Sequence, residues 1–234
     1  AAIRGAYAAG ATEVVVTDGH AYSRNILIEE LDPRARLNSG SPQPLSMVEG
    51  VDQGVDGVLL VGYHARSGAQ RAILDHTWSD ERVANVWLNG RLTGESGLNG
   101  AVCGHFDVPI VMIAGDQTVC SEVRDWFGEV ETAVVKTATG RFAAECLPPS
   151  QTQVLIQEAA FRAVTRLHAG DATPPLKLSS PITLMVEFNQ SEMADRAMIL
   201  PGARRVQDRR VEYQAPDMVT IYNVFRTLLS LARG

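Results

Sequence analysis

Short segments rich in Val and Ile alternate with helix-like segments along this chain of 234 residues, and this alternation restricts the fold more than any other feature. The apolar segments are bounded by Gly, Pro or Asp, as buried strands are. Alternating strands and helices are typical of domains in which helices cover a sheet. We therefore expect an α/β fold, a three-layer αβα sandwich with a mixed sheet. The predicted strands are EVVVTD (13–18), GVLLVGY (57–63), PIVMIAG (109–115) and TAVVKT (132–137).

Helix and turn signals fill the intervals between these strands. Residues 95–106 and 117–128 have helical patterns, and the second segment ends on a glycine, which suits the left-handed position that follows many helices. Asn89-Gly90 lies between two apolar runs, and this dipeptide adopts a type I′ turn readily. The sequence therefore predicts a β-hairpin over 84–94.

The strongest internal break is CLPPSQTQ (146–153), where two prolines end one element. Ser150 follows them and is a candidate cap for the next long helix. We therefore divide the chain into a larger α/β domain, residues 1–147, and a smaller C-terminal α/β unit, residues 148–234. The smaller unit is expected to contain a strand at 181–188 and a last amphipathic helix at 217–232.

The first ten residues, AAIRGAYAAG, read as the second half of a helix. An α/β domain seldom opens in the middle of a helix without a preceding strand. We therefore expect further residues, including an N-terminal strand, upstream of Ala1.

Composition and motifs argue against several classes of protein. The net charge is −6, and the Lys and Arg residues cluster only at 202–210, so nucleic acid is not an expected partner. No apolar stretch approaches the ~18 residues that span a bilayer, so no membrane association is expected. Motifs for dinucleotides, phosphate loops, serine esterases and His-Glu-x-x-His metalloproteases are absent from the sequence. Three widely spaced cysteines favour a cytoplasmic location: Cys103, Cys120 and Cys146.

Polar residues remain at the ends of predicted strands. His20 and His64 each follow a strand, and Glu95 follows the hairpin. Ligand sites of open α/β sheets form at such ends, and imidazole with carboxylate suits Zn²⁺. Spacing alone does not separate metal ligands from ordinary satisfied polar residues. Arg66 likewise either holds a substrate carboxylate or pairs with a neighbouring acid.

A series of motifs resembles the D-aminopeptidase family of binuclear zinc peptidases. The likeness extends over nearly the whole chain, and the order and distances of the motifs make it more specific than any single motif. The motifs are VVVTDGH (14–20), PLSMVEG (44–50), VGYHAR (61–66), DHTW (75–78), LNGRLTGESGLNG (88–100) and DVPIVMIAGD (107–116), continued by VEF (186–188), LPG (200–202) and VEYQAPDM (211–218).

The resemblance implies residue roles and a cofactor. It implies that His20, His64 and Glu95 are zinc ligands and that His76 is catalytic, either stabilising an oxyanion or moving a proton to the leaving amine. It also implies two zinc ions per subunit. The family's Asp-x-Glu ligand pair is not present in this sequence, and its place would lie upstream of Ala1.

The resemblance further implies hydrolysis, by metal-activated water, of short peptides that carry an N-terminal D-amino acid. The family assembles into closed homo-oligomeric rings, typically decamers, so the same assembly is expected here. One alternative stays open, in which the chain is a catalytically silent relative that serves as an oligomeric peptide-binding or scaffold protein. Joint retention of the three histidines and Glu95 favours the enzyme, because buried ionisable groups cost free energy unless they are paired or coordinated.

Overall fold

The computed structural model of the chain describes residues 1–233. Two larger sheets and one small sheet form its framework, and helices pack against them. The helices are α1 (Ala2–Ala8), α2 (Glu95–His105), α3 (Gln117–Phe127), α4 (Pro149–His168), α5 (Ser191–Ala197) and α6 (Met218–Leu231). The strands are β1 (Val15–Thr17), β2 (Arg36–Asn38), β3 (Val58–Tyr63), β4 (Val83–Leu88), β5 (Arg91–Thr93), β6 (Ile110–Asp116), β7 (Glu131–Gly140), β8 (Ala143–Cys146), β9 (Ile182–Phe188), β10 (Arg204–Gln207) and β11 (Arg210–Ala215).

The four-stranded sheet has the order β3-β6-β7-β8, with parallel pairs except between β7 and β8. Every residue of β6 is buried, which explains the uninterrupted apolar run from Ile110 to Ala114. Met112 and Ala114 pack with alanines of α4, whereas Ile110 and Ile113 belong to the cluster that includes α2 and α3. Helices thus cover both faces of β6, and the predicted mixed α/β fold is confirmed.

The five-stranded sheet has the order β10-β11-β9-β4-β5 and is antiparallel throughout. The seven residues of β9 alternate between buried and partly buried positions, and α6 packs against β9 and β11. Strands from both sides of the predicted 147/148 boundary lie in this sheet. The parallel pair β1-β2 forms the third, separate sheet.

Local signals from the sequence can be compared with these elements. The hairpin prediction is confirmed, since β4 and β5 are antiparallel and the φ angles of Asn89 and Gly90 are 48° and 77°. Gly128 follows α3 with φ 73°, as expected. The prediction that Ser150 caps α4 is wrong, because the helix begins at Pro149 without a side-chain cap. A proline there has no N–H that needs a partner.

The described helices were also compared with the dimensions of a bilayer. From residue 1 to residue 233, none of them combines the length and the apolar character needed to cross a membrane.

Candidate metal centre

The Glu95 carboxylate faces two histidine side chains. Its Oε2 atom is 3.6 Å from His64 Nε2, and its Oε1 atom is 3.6 Å from His76 Nε2. Among residues 1–233, this is the only group of three His, Cys, Asp or Glu side chains whose ligand atoms all lie within 4.8 Å of one another. Glu95 is buried, with 6% of its surface exposed, and both histidines are partly buried. The sheet edge therefore holds a compact N/N/O donor set.

The orientation of both rings is fixed through Nδ1. His64 Nδ1 is 3.1 Å from the carbonyl oxygen of Ala65, and His76 Nδ1 is 2.7 Å from that of Leu74. A carbonyl oxygen only accepts hydrogen bonds, so each Nδ1 carries a hydrogen and each neutral ring keeps its lone pair on Nε2. Two nitrogen lone pairs and a carboxylate then face one space, which is the arrangement that Zn²⁺ prefers. The residues present fit a zinc ion.

The rings themselves are in contact. The centroids of His64 and His76 are 3.8 Å apart, with an angle of 19° between the ring planes. This stacking brings His64, which directly follows β3, into contact with His76, which lies in the loop between β3 and β4. We call residues 66–78 the His76 loop.

Local structure places the ligand atoms. His64 directly follows β3, and Glu95 is the first residue of α2, where the helix dipole favours a carboxylate. The backbone N–H of Trp78, at the end of the His76 loop, donates to Glu95 Oε1 at 2.7 Å. The carboxylate is therefore held by the same loop that carries His76.

Buried side chains hold the irregular backbone of the His76 loop. Asp75 Oδ2 accepts from the Gly68 N–H at 2.7 Å, and Asp116 Oδ2 accepts from the Ile73 N–H at 2.7 Å. Asp116 is fully buried and also caps α3. Leu74 and Trp78 have positive φ angles of 53° and 65°, which non-glycine residues rarely adopt. Such a conformation persists only when its surroundings determine it.

A buried polar network ties together the elements that supply His64 and Glu95. Asn99 on α2 donates from Nδ2 to the Tyr63 hydroxyl at 2.8 Å and accepts from the Tyr222 hydroxyl at 3.0 Å. Burial raises the pKa of both tyrosines, so their hydroxyl groups stay neutral. The end of β3 is thereby linked to α2 and α6.

Glu122 on α3 supports the residues next to the two ligands. Its carboxylate accepts from the Arg66 N–H at 3.0 Å and from the Ser96 hydroxyl at 3.4 Å. Burial raises the pKa of the Glu122 carboxyl. The Arg66 guanidinium donates from Nη1 to the carbonyl oxygen of Ser67 at 2.9 Å.

The structure does not bring His20 into the cluster. His20 is exposed in the turn after β1, and its backbone N–H is 3.3 Å from Asp18 Oδ1. The buried Asp18 carboxylate also accepts from the Ile26 N–H at 2.8 Å, and these hydrogen bonds outweigh the effect of burial and lower the pKa of Asp18. The role of His20 as a ligand stays a prediction.

Sequence reasoning missed the supporting residues, because their partners are distant in the chain. Asn99 and Tyr222 are 123 positions apart, and Arg66 and Glu122 are 56 apart. No local pattern indicates such a pairing. For Trp78 the signal was present in DHTW, but it did not indicate that the backbone N–H supports Glu95.

The sequence and the fold were compared with known proteins. The sequence model of the family described as D-aminopeptidase matches residues 1–227. A curated D-aminopeptidase of Bacillus subtilis (strain 168) is 35% identical over 229 residues, which cover 97% of this chain and 81% of the relative. A solved structure, described as the Zn-dependent D-aminopeptidase DppA from Bacillus subtilis, a self-compartmentalizing protease, superimposes with a TM-score of 0.94 at 35% identity. The superposition covers 100% of this chain and 84% of that one.

Proposed function

The chain belongs to the D-aminopeptidase family, and from this premise we propose that it is a zinc-dependent aminopeptidase that releases the N-terminal residue of short peptides. We propose further that D-amino acids are preferred at that position. The observation that carries the proposal is the approach of His64, His76 and Glu95, with each histidine Nδ1 bound to a carbonyl oxygen so that each Nε2 faces the shared space. Two nitrogen lone pairs that face a carboxylate are repelled by it unless a cation lies between them, so a purely structural cluster does not favour this arrangement.

We assign His64 and Glu95 as zinc ligands and His76 as the catalytic residue. When bound, zinc supplies Lewis acidity toward water and the scissile carbonyl. Ala65 fixes the tautomer in which His64 Nε2 carries the lone pair that binds a metal, and the Trp78 N–H holds the Glu95 carboxylate in place. Leu74 keeps a hydrogen on His76 Nδ1, so Nε2 is the atom that takes up a proton and passes it to the leaving amine.

Two zinc ions per subunit are part of the proposal. The two assigned ligands, His64 and Glu95, are too few for two ions that each need at least three protein ligands. His20 is the further candidate ligand in this sequence. Zinc content per chain, with and without the His20→Ala substitution, measures this part separately from activity.

Assembly and location are also proposed. The solved relative is described as self-compartmentalizing, which supports a homo-oligomeric ring of this chain, and we propose a decamer. Its mass in solution, measured by light scattering, tests the number of subunits. The cytoplasmic location stays a prediction, with which three free thiols are compatible.

Paired substrates test the proposed activity. Protein stripped with a chelator and then supplied with zinc is assayed on D-alanyl and L-alanyl dipeptides of otherwise identical sequence. We expect hydrolysis of the D-alanyl peptide that requires zinc and is lost in Glu95→Ala. Zinc-bound protein that hydrolyses neither peptide would support the alternative of a silent scaffold, and equal rates on both would remove the D-preference.

A further inference from the structure

We infer that Arg141 is a positioning residue for His76, an inference that rests on the proposed function. Arg141 lies in the turn between β7 and β8, outside the metal cluster. Its side chain is 41% exposed. Within residues 1–233, Arg141 makes polar contacts outside its own hairpin with Leu74 and Asp75, the two residues that directly precede His76, and with Asp80.

Three contacts join Arg141 to the His76 loop. The Leu74 N–H donates to the carbonyl oxygen of Arg141 at 2.8 Å. The guanidinium donates from Nη2 to the carbonyl oxygen of Asp75 at 3.2 Å, and its Nε lies 3.2 Å from Asp75 Oδ1. The backbone and the side chain of Arg141 therefore bind two consecutive residues of the loop, Leu74 and Asp75.

Leu74 connects Arg141 to the imidazole of His76. Its N–H is bound to Arg141, and its carbonyl oxygen accepts from His76 Nδ1 at 2.7 Å. Leu74 has φ 53°, a strained value for a branched side chain. Its side chain is 53% exposed, so packing does not hold it in this conformation. The hydrogen bonds of the Leu74 N–H and carbonyl oxygen hold this backbone conformation instead.

Asp75 needs Arg141 for a second reason. The carboxylate of Asp75 is 8% exposed and accepts from the Gly68 N–H, so it closes the loop across its base. A buried carboxylate is costly unless hydrogen bonds or a countercharge stabilise it, and the guanidinium supplies both to Asp75. Within residues 1–233 the ion pair with Arg141 is the only one that Asp75 makes. Loss of the guanidinium therefore loosens the loop at two consecutive residues before His76.

Both zinc ligands have support that does not come from Arg141. His64 Nδ1 bonds to Ala65, which lies outside the loop, and Glu95 accepts from the N–H of Trp78, whose ring packs against α6. Loss of Arg141 should therefore affect the orientation of His76 more than the binding of zinc. In kinetic terms we expect kcat to fall while KM and zinc content change little.

The test compares Arg141→Met with Arg162→Met. Arg162 is a suitable control because it makes an ion pair outside the His76 loop, with Glu131 at 2.9 Å, and its side chain is 51% exposed on α4. Hydrogen exchange measured by mass spectrometry over residues 66–78 needs no substrate. We expect amides of this segment to exchange about tenfold faster in Arg141→Met and at the wild-type rate in Arg162→Met.

Kinetics complete the test. With a D-alanyl dipeptide, kcat should fall about 10- to 100-fold in Arg141→Met, with KM within about twofold and zinc content unchanged. Arg141→Lys keeps the charge but loses the planar fork, so it should restore part of kcat. If Arg141→Met does not fold, Asp75→Asn removes the same ion pair and should show the same pattern.

Unchanged exchange in residues 66–78, or equal losses in the Arg141 and Arg162 variants, would overturn the inference. So would a fall in zinc content that accounts for the whole loss of activity. If the wild-type protein has no peptidase activity, the proposed function fails, whereas the exchange comparison still decides whether Arg141 orders the loop.

Discussion

Trp78 donates its backbone N–H to Glu95 at 2.7 Å, so the His76 loop is bonded directly to the carboxylate that faces His64. The indole ring of Trp78 meets Tyr222 and Phe225 edge-on, at centroid distances of 5.7 and 5.4 Å. Both aromatic partners lie on α6 and are fully buried. The geometry of the candidate metal centre therefore depends on packing against the last helix of the chain.

Two substitutions of Glu95 separate its structural role from its role toward zinc. Glu95→Gln keeps an oxygen that accepts from the Trp78 N–H, but it removes the negative charge. We expect zinc content to fall to about a tenth or less, with little change in the stability of zinc-free protein. Glu95→Leu leaves the N–H without a partner and should lower the free energy of unfolding by about 1–3 kcal/mol more than Glu95→Gln.

The measurements are elemental analysis after dialysis and thermal unfolding in a chelator. Zinc binding by Glu95→Gln at the wild-type level would show that the carboxylate is not a ligand. Equal stability of the Gln and Leu variants would show that the hydrogen bond to Trp78 contributes nothing.

His64→Ala and His76→Ala should differ in the property that they lose. We expect His64→Ala to lose zinc, because it removes a ligand. His76→Ala should keep its zinc and lose about 10²-fold or more in kcat, as expected for a residue that transfers a proton. Elemental analysis and kinetics on the same samples distinguish them. Loss of zinc from His76→Ala to the same extent would make His76 a third ligand and contradict our division of roles.

Local patterns in the sequence predicted where strands and helices lie. The strand expected at 57–63 is Val58–Tyr63, and the helix expected at 217–232 is Met218–Leu231. These predictions succeed because the apolar period and the residues that end an element are local properties. The pairing of β4 with β9 was not predictable in this way, since Val86 and Val186 are opposite each other but 100 positions apart.

In the candidate site, too, local features could be predicted from the sequence and long-range geometry could not. His64 and Glu95 were singled out from the sequence because their residue types and positions at the ends of predicted strands carry chemistry, and His76 was singled out through the family resemblance. The geometry of the three side chains relative to one another could not be predicted from the sequence, since it depends on hydrogen bonds to backbone groups of Ala65 and Leu74. His20 illustrates the limit, because a strand-end position alone did not place it in the cluster that the structure shows.

Glu122 should make the stability of the protein depend on pH. Burial raises the pKa of its carboxyl above the value of about 4.3 in an unfolded chain. Ionising this carboxyl is therefore more costly in the folded state, so its contribution to stability is fully present below about pH 4 and is lost as pH rises through the folded pKa. Glu122→Gln keeps an oxygen that can accept from the Arg66 N–H and does not ionise.

The variant should thus gain stability relative to the wild type as pH increases. We expect the difference in Tm, variant minus wild type, to be larger at pH 7 than at pH 4 in zinc-free protein. A difference that is constant over this range, or that decreases with pH, would show that Glu122 does not have a raised pKa.

The last prediction concerns the close packing of α2, the helix that begins with Glu95. A Cβ atom added at Gly104 would lie 1.7 Å from the carbonyl oxygen of Leu176, and a backbone oxygen cannot move aside as a flexible side chain can. At Gly140 an added Cβ would meet no atom within 4 Å, and the backbone there is not left-handed. Gly140→Ala is therefore a matched control in which the same methyl group is added without a clash.

An alanine inside a helix is ordinarily favoured over glycine by about 1 kcal/mol, so propensity alone predicts that Gly104→Ala is stabilising. We expect the opposite, because a clash with backbone in a packed interior costs about 1–3 kcal/mol or more and can be relieved only by moving α2 or the segment around Leu176. Chemical unfolding should show a lower free energy for Gly104→Ala and a near-neutral Gly140→Ala. Because Glu95 moves with α2, the affinity for zinc should decrease in Gly104→Ala as well. A variant at Gly104 with wild-type stability would mean that α2 is not fixed by its contact with Leu176, and that the position of Glu95 is set by the Trp78 N–H and the Asn99 network alone.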